Sequence, residues 1–264
     1  MRIALIVPGG VDPGGVHVIP VVLTLIRRLA RDHDVHVFAT HQQPVPGSWP
    51  LEGALIHNLG LPRTAWRALR AVVEQHRKAP FDVFHAIWAG SSGALAVCAG
   101  KLLRVPSIVH VAGGELVGLK DINYGGCLTW RGRLFQYTVL KFATRVTAPS
   151  DMICRLVGER RVQAQRLPLG VDLERWQPRH PVRRRSDEQP RLIHIGSLNR
   201  VKDQRTLLSA LRLLADRGYG FHADIVGEDT LDGAIQAISE DMELGQRIQF
   251  HGYLTHDRLR GLIE

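Results

Sequence analysis

Short apolar runs alternate along this chain with stretches of helical period, and that alternation restricts the fold more than any other feature. The runs at Arg2 to Val7, Asp34 to Thr40, Ala54 to Leu59, Asp82 to Trp88, Ser107 to Ala112 and Arg145 to Ala148 read as strands, and helical patterns fill most of the gaps. The class is therefore α/β, with parallel sheets and crossover helices. The first helical pattern, Val16 to Arg31, puts Val16, Ile19, Leu23, Ile26 and Leu29 on one stripe, and Pro20 fits only in its first turn.

The alternation stops at "QPRHPVRRRSDEQP", residues 177 to 190, where prolines and charges replace apolar residues and an interdomain linker is expected. It then restarts with "RLIHIG", a helix from Lys202 to Arg217, "FHADIVG", another helix, "RIQFHGY" and a last helix from about Thr255. Two Rossmann-like domains follow, residues 1–176 and 191–264. A doubly wound domain has about six strands at about 30 residues per βα unit, so on the order of 100 further residues are expected and the second domain reads as truncated.

At 264 residues and 45% hydrophobic, the chain builds one large or two modest cores. Thirty-four Lys and Arg against 25 Asp and Glu give a net charge of +9, which favours anionic partners. No nucleic-acid motif accompanies the charge, so no nucleic-acid partner is expected. Cys98, Cys127 and Cys154 lie far apart without a Cys-x-x-Cys pair and read as reduced thiols of a cytoplasmic protein. The apolar run before Pro8 is too short for a signal-peptide core. The most apolar window, "FDVFHAIWAGSSGALAVCAG", is broken by Gly-Ser-Ser-Gly, which suits strand, turn and helix rather than a membrane span.

After the first strand comes "PGGVDPGGVH", residues 8 to 17. It lacks the Gly-x-Gly-x-x-Gly spacing of a dinucleotide site, the second strand ends without an acidic residue, and no Gly-Lys-Ser or Gly-Lys-Thr occurs anywhere. Gly14 and Gly15 still allow backbone amides to approach an anion at a helix N-terminus, while the alternative is a ligand-free turn. The second domain repeats the device in "GSLNRVKDQRTLLSALRLL". There Gly196 ends a strand, Arg200 and Lys202 stand at the helix entrance, and Leu207, Leu208, Leu211 and Leu214 form the buried stripe. Two cations at helix amides make a diphosphate site; the plainer reading is a solvated first turn.

His17, His36, His57, His85, His194 and His251 recur in or beside strands without metal-ligand spacing, so packing or surface roles and no metal are expected. The stretch "TWRGRLFQYTVLKFATR", residues 129 to 145, combines Trp130, Leu134, Phe135 and Phe142 with Arg131, Arg133, Lys141 and Arg145. It is either a core-facing helix with a solvated basic side or a helix resting peripherally on the anionic inner face of a membrane.

Six segments in order, "DPGGVHVIPVVLTLIRRLA", "APSDMICRLV", "LPLGVDLERWQP", "HIGSLNRVKDQRTLLSALRLL", "ADIVGED" and "IQFHGYLTHDRL", resemble glycosyltransferase family 4, retaining enzymes of the GT-B fold. The resemblance implies transfer of a sugar from a nucleoside-diphosphate sugar to the hydroxyl of a polysaccharide, a lipid-linked glycan or a small alcohol, with no metal or other cofactor. It implies Lys202 on the donor diphosphate, with Arg200 in place of the arginine that Gly196-Ser197-Leu198 lacks. It places Gly14, Gly15, Gly196, Ser197, Gly227 and Glu228 on the donor-phosphate and acceptor lip. Where the family has a His-Gly-x-Asp type motif, "VHVAGGE" stands, leaving His110 and Glu115 as the sugar-side candidates. The family's Glu, seven residues, Glu motif would follow Glu264. Two other readings stand beside this one: a sugar-nucleotide epimerase on the same fold, and a non-catalytic binding module that oligomerises through an incomplete sheet edge.

Overall fold

A computed structural model describes residues 1–15, 17–60, 65–174, 176 and 189–263, in two compact units, Met1–Asp172 and Leu173–Glu264. Apart from Gln189 and Pro190, the expected linker lies outside the described residues.

The first unit holds β1 (Arg2–Val7), β2 (Asp34–Ala39), β3 (Gly47–Leu51), β4 (Ala54–Asn58), β5 (Val83–Ile87), β6 (Ser107–His110), β7 (Arg145–Ala148) and β8 (Gln165–Arg166). They form one sheet in the order β3-β4-β2-β1-β5-β6-β7-β8. The pairs are parallel except β3 with β4, a hairpin turned by Glu52 and Gly53, both at positive φ. Sequence reading overlooked β3 and β8. β3 carries Pro50 and lies at the sheet edge, where a missing N–H is tolerated, and both residues of β8 are exposed.

Helix α1 (Pro20–Leu29) covers one face of the sheet, where Val22 and Ile26 pack with Leu5, Val7, Val37 and Ile56. The chain order then sends α2 (Ala65–Lys78), α3 (Ser91–Leu103), α4 (Trp130–Phe142) and α5 (Asp151–Gly158) to the other. There Ala68, Val72, Leu95 and Ala96 meet Ile6, Phe38 and Phe84, and Val139, Leu140 and Val157 meet Val109 and Val146. Each such Val, Leu, Ile or Phe side chain contributes about 1.5–3 kcal/mol on burial.

Two expectations change here. Helix α1 begins at Pro20 rather than Val16, because the proline holds Ile19 extended at φ −107° and ψ 103° and so stops the helix from reaching back. In α4 it is Gln136, Val139 and Leu140 that face the core, whereas Trp130, Leu134, Phe135 and Phe142 are exposed. The core-facing reading of that helix is therefore reversed for the aromatic residues that suggested it.

In the second unit, β9 (Arg191–Ile195), α6 (Gln204–Asp216), β10 (His222–Val226), α7 (Ala234–Asp241), β11 (Ile248–Gly252) and α8 (His256–Ile263) follow in turn. The three strands are parallel in the order β11-β10-β9. Leu198, Leu208, Leu211, Phe221, Ile225, Ile235 and Leu244 fill the core. The buried line of α6 runs Gln204, Leu208, Leu211 and Ala215, so Leu214, expected inside, sits roughly a quarter-turn away and is 36% exposed. β9 is an edge strand, and its Leu192, Ile193 and Ile195 are exposed.

Candidate functional site

Ligands of open α/β sheets bind outside the carboxyl ends of the strands, where the strand order reverses. In the second unit the carboxyl ends of all three strands are joined by backbone hydrogen bonds. Gly196 N–H donates to Val226 O at 2.8 Å, Gly227 N–H to Gly252 O at 2.9 Å and Leu198 N–H to Glu228 O at 2.8 Å. Gly227 has φ +154°, and a β-carbon there would collide with Gly196 O, so only glycine lets the two loops close together. Glu228 contributes its carbonyl to this link, and its side chain is exposed.

Lys202 lies against this junction: a β-carbon at Gly196 would stand 3.6 Å from Lys202 Cε and 3.8 Å from His194 Nε2. Asn199 Oδ1 shapes the approach by accepting from the amides of Val201 and Lys202, each at 3.1 Å. Asp203, at φ +50°, caps α6 through Thr206 N–H at 3.4 Å. The next amides, of Gln204 and Arg205, have no partner within the helix, as in any first turn. Arg200 is exposed on the same approach, and Ser197 accepts at its carbonyl from Gln204 Nε2 at 3.0 Å.

Two residues beside Lys202 take part that were not expected to: His194, expected only to pack or face solvent, and Gln204, which carried no expectation. Gln204 is buried, and its Nε2 lies 3.2 Å from His194 Nε2, while its Oε1 has no partner. Burial, then the Lys202 charge, lower the His194 pKa, favouring a neutral ring. A polar residue on the buried line of α6, in its first turn, was the available signal for Gln204.

In the first unit the strand order reverses between β1 and β5, so the loops that follow these two strands flank the switch point. The glycine loop is the one after β1. It is pinched by an antiparallel bridge between Val11 and Val18, and Gly10 O accepts from Ile19 N–H at 2.9 Å. Gly14 and Gly15 sit at its exposed tip, five or more residues before α1, so they do not stand at that helix's N-terminus as expected. Asp12 already accepts from both: its Oδ2 from Gly14 N–H at 2.9 Å, its carbonyl from Gly15 N–H at 3.2 Å.

After β5, Trp88 adopts φ +72°, and the next amide, Ala89, donates to Glu115 Oε1 at 3.1 Å. The same oxygen accepts from Ala112 N–H at 3.1 Å, and Oε2 accepts from Gly113 N–H at 2.8 Å. Glu115 is thus a buried carboxylate that joins the loops after β5 and β6 through three amides. His110 is also buried; its Nδ1 lies 2.9 Å from Thr147 Oγ1, and its Nε2 has no partner. Burial lowers its pKa against the raising influence of Glu115.

Of the other histidines, His36, His57 and His85 pack, His17 is exposed and His251 Nε2 lies 2.7 Å from Asp224 Oδ1. His36 Nδ1 lies 2.9 Å from His57 Nε2, with the rings stacked at 5.2 Å, and His57 also stacks on Phe38 at 4.9 Å. Burial, then the neighbouring His36, depresses the His57 pKa to about 4, and burial, then His110, does the same to His85. Among the described residues no three His, Cys, Asp or Glu are grouped to hold a metal, and no helix is long and apolar enough to cross a membrane.

Two family models match the chain: a glycosyl transferase 4-like domain over residues 14–171 and glycosyl transferases group 1 over residues 177–264. Comparison with curated protein sequences finds no match. Among solved structures, sucrose-phosphate synthase from Thermosynechococcus elongatus is 19% identical, with 98% of this chain and 72% of that chain covered at a TM-score of 0.70. Anabaena HepE, in complex with UDP and glucose, is 15% identical over 96% of this chain and 70% of that chain, at a TM-score of 0.67. UDP-GlcNAc 2-epimerase from Neisseria meningitidis, bound to UDP-GlcNAc, is 10% identical over 100% of this chain and 75% of that chain, at a TM-score of 0.55.

Proposed function

From a chain that belongs to the glycosyl transferase 4-like family, with a group 1 domain behind it, we propose a specific chemistry: transfer from a nucleoside-diphosphate sugar to an acceptor hydroxyl with retention at the anomeric carbon. The observation that carries this reading is Lys202 laid against Gly196 at the joined carboxyl ends of β9 and β10. There an ammonium group and the first amides of α6 offer fixed positive charge to a diphosphate.

As the bond from the anomeric carbon to the diphosphate oxygen lengthens, the sugar gains oxocarbenium character and negative charge collects on the leaving group. Lys202, with Arg200 beside it in sequence, stabilises that charge, and it does so more in the transition state than in the ground state. Gln204 holds the Ser197 carbonyl and the His194 ring in place beneath it. Within the first unit the acceptor is assigned to the loops at the carboxyl ends of β1, β5 and β6, the last two kept in register by Glu115. The UDP and glucose held by HepE support this class of donor.

Incubation with a panel of nucleoside-diphosphate sugars and alcohol acceptors tests the reading. Free nucleoside diphosphate and a glycoside of retained configuration by NMR are expected. Interconversion of the sugar nucleotide without any acceptor would instead assign epimerase chemistry.

A further inference from the structure

Helices α2, α3 and α4 pack side by side and leave a cavity of about 450 Å³, within the range of small-molecule sites. Its walls are Trp66, Leu69, Ala94, Leu95, Cys98 and Phe135, and at one end it meets Thr40, which follows β2, and Ser91, which opens α3. That end faces the carboxyl side of the sheet, where the acceptor is expected. Of the aromatic residues that line it, Trp66 is 56% exposed and Phe135 45%, and elsewhere on α4 Trp130 and Phe142 are exposed as well, at 69% and 50%.

We propose that this cavity takes a hydrocarbon chain of a membrane-borne acceptor lipid, while the outer face of α4 rests on an anionic bilayer. The proposal rests on the transferase reading above and narrows its acceptor to a lipid.

Charge selects the occupant. Arg67 lies 5.8 Å from the Trp66 ring, Arg131 5.5 Å from Trp130, Lys101 5.9 Å from Phe142 and Lys141 5.4 Å from Tyr137. Neither α3 nor α4 contains an acidic residue, and Glu74, in α2, is paired with Arg70 at 2.7 Å. The core of a protein–protein interface is depleted of lysine, whereas alternating aromatic rings and cations suit the level of anionic headgroups. An open apolar cavity beside such a surface gives a single alkyl chain a place to leave the bilayer with little loss of apolar contact.

Cys98, exposed on the cavity wall, reports occupancy, while Cys127 is buried and Cys154 lies outside the cavity. The full chain is sedimented with vesicles of equimolar phosphatidylglycerol and phosphatidylcholine or of phosphatidylcholine alone, and N-ethylmaleimide alkylation is followed peptide by peptide. The chain is expected to sediment with the anionic vesicles only. With lipid at about ten times its dissociation constant, Cys98 alkylation is expected to slow about tenfold while Cys154 is unchanged.

Lys101→Glu with Lys141→Glu removes sedimentation, and Trp66→Ala with Phe135→Ala, at exposed positions, removes the protection of Cys98. The absence of sedimentation, or unslowed Cys98 alkylation in vesicle-bound protein, overturns the proposal. So does shielding of Cys98 without lipid alongside a doubling of mass at high concentration, which would make a second copy the occupant. Calorimetric binding of UDP to the same preparation reports on the donor site separately, so either reading can fail while the other stands.

Discussion

Glu115 reaches back to accept the amide hydrogen of Ala89, 26 residues earlier in the chain, at 3.1 Å. Its second oxygen holds Gly113 N–H, so one buried carboxylate satisfies loops that would otherwise present unpaired donors. Glu115→Gln turns an NH₂ group toward one of those donors and is expected to cost about 2–3 kcal/mol in the first unit. Urea unfolding should show the midpoint of that unit falling while the second unit unfolds as before. An unchanged first transition would mean that the carboxylate does not hold the loops.

Lys202→Ala is expected to lower transfer by about a hundredfold or more, the scale of losing one preorganised charge-stabilising group. The residue is exposed, so stability should move by less than about 0.5 kcal/mol. Initial rates with saturating donor and acceptor check this, and near-normal turnover would sink the placement of the diphosphate.

Gly227→Ala attacks the same site through the backbone. The new β-carbon collides with Gly196 O at φ +154°, forcing the two loops apart. UDP binding by calorimetry should weaken about tenfold or more, one to three kcal/mol of strain being of that order. Gly233→Ala, with open space around its β-carbon and a positive φ of 81°, is the control that should keep UDP affinity at a small stability cost.

His57 and His85 are held neutral, with pKa values near 4 against an unfolded value of about 6.5. Between these values the unfolded chain binds more protons, so stability rises with pH across that window and falls as pH drops from about 6.5 toward 4. Each ring costs up to about 3 kcal/mol at the acid end. Unfolding free energies measured across this range should show that slope for the first unit, and His57→Gln should flatten it. A slope unchanged in the variant would place the proton uptake elsewhere.

The strands of the first sheet were legible because their residues are apolar almost throughout, as in β1, where Ile3 to Val7 are all buried. β8 was not, since Gln165 and Arg166 carry no apolar signal and pair only through their backbone with Thr147 and Ala148. The same division runs through the site. Gly196 and Lys202 were visible as a glycine turn and a cation before a helix, but the contacts that Gln204 makes with His194 and Ser197 depend on packing between α6 and β9.

By itself the sequence determined the α/β alternation and the glycine turns, because these depend on local period, side-chain volume and the positive φ that Gly10 and Gly227 adopt. Only the tertiary structure decided that Glu115 closes backbone loops, that Asp12 occupies the amides of Gly14 and Gly15, and that the aromatic residues of α4 face outward. A helical period says which residues share a face, but the face that meets the core is chosen by the long-range packing of Val139 and Leu140 on Val109 and Val146.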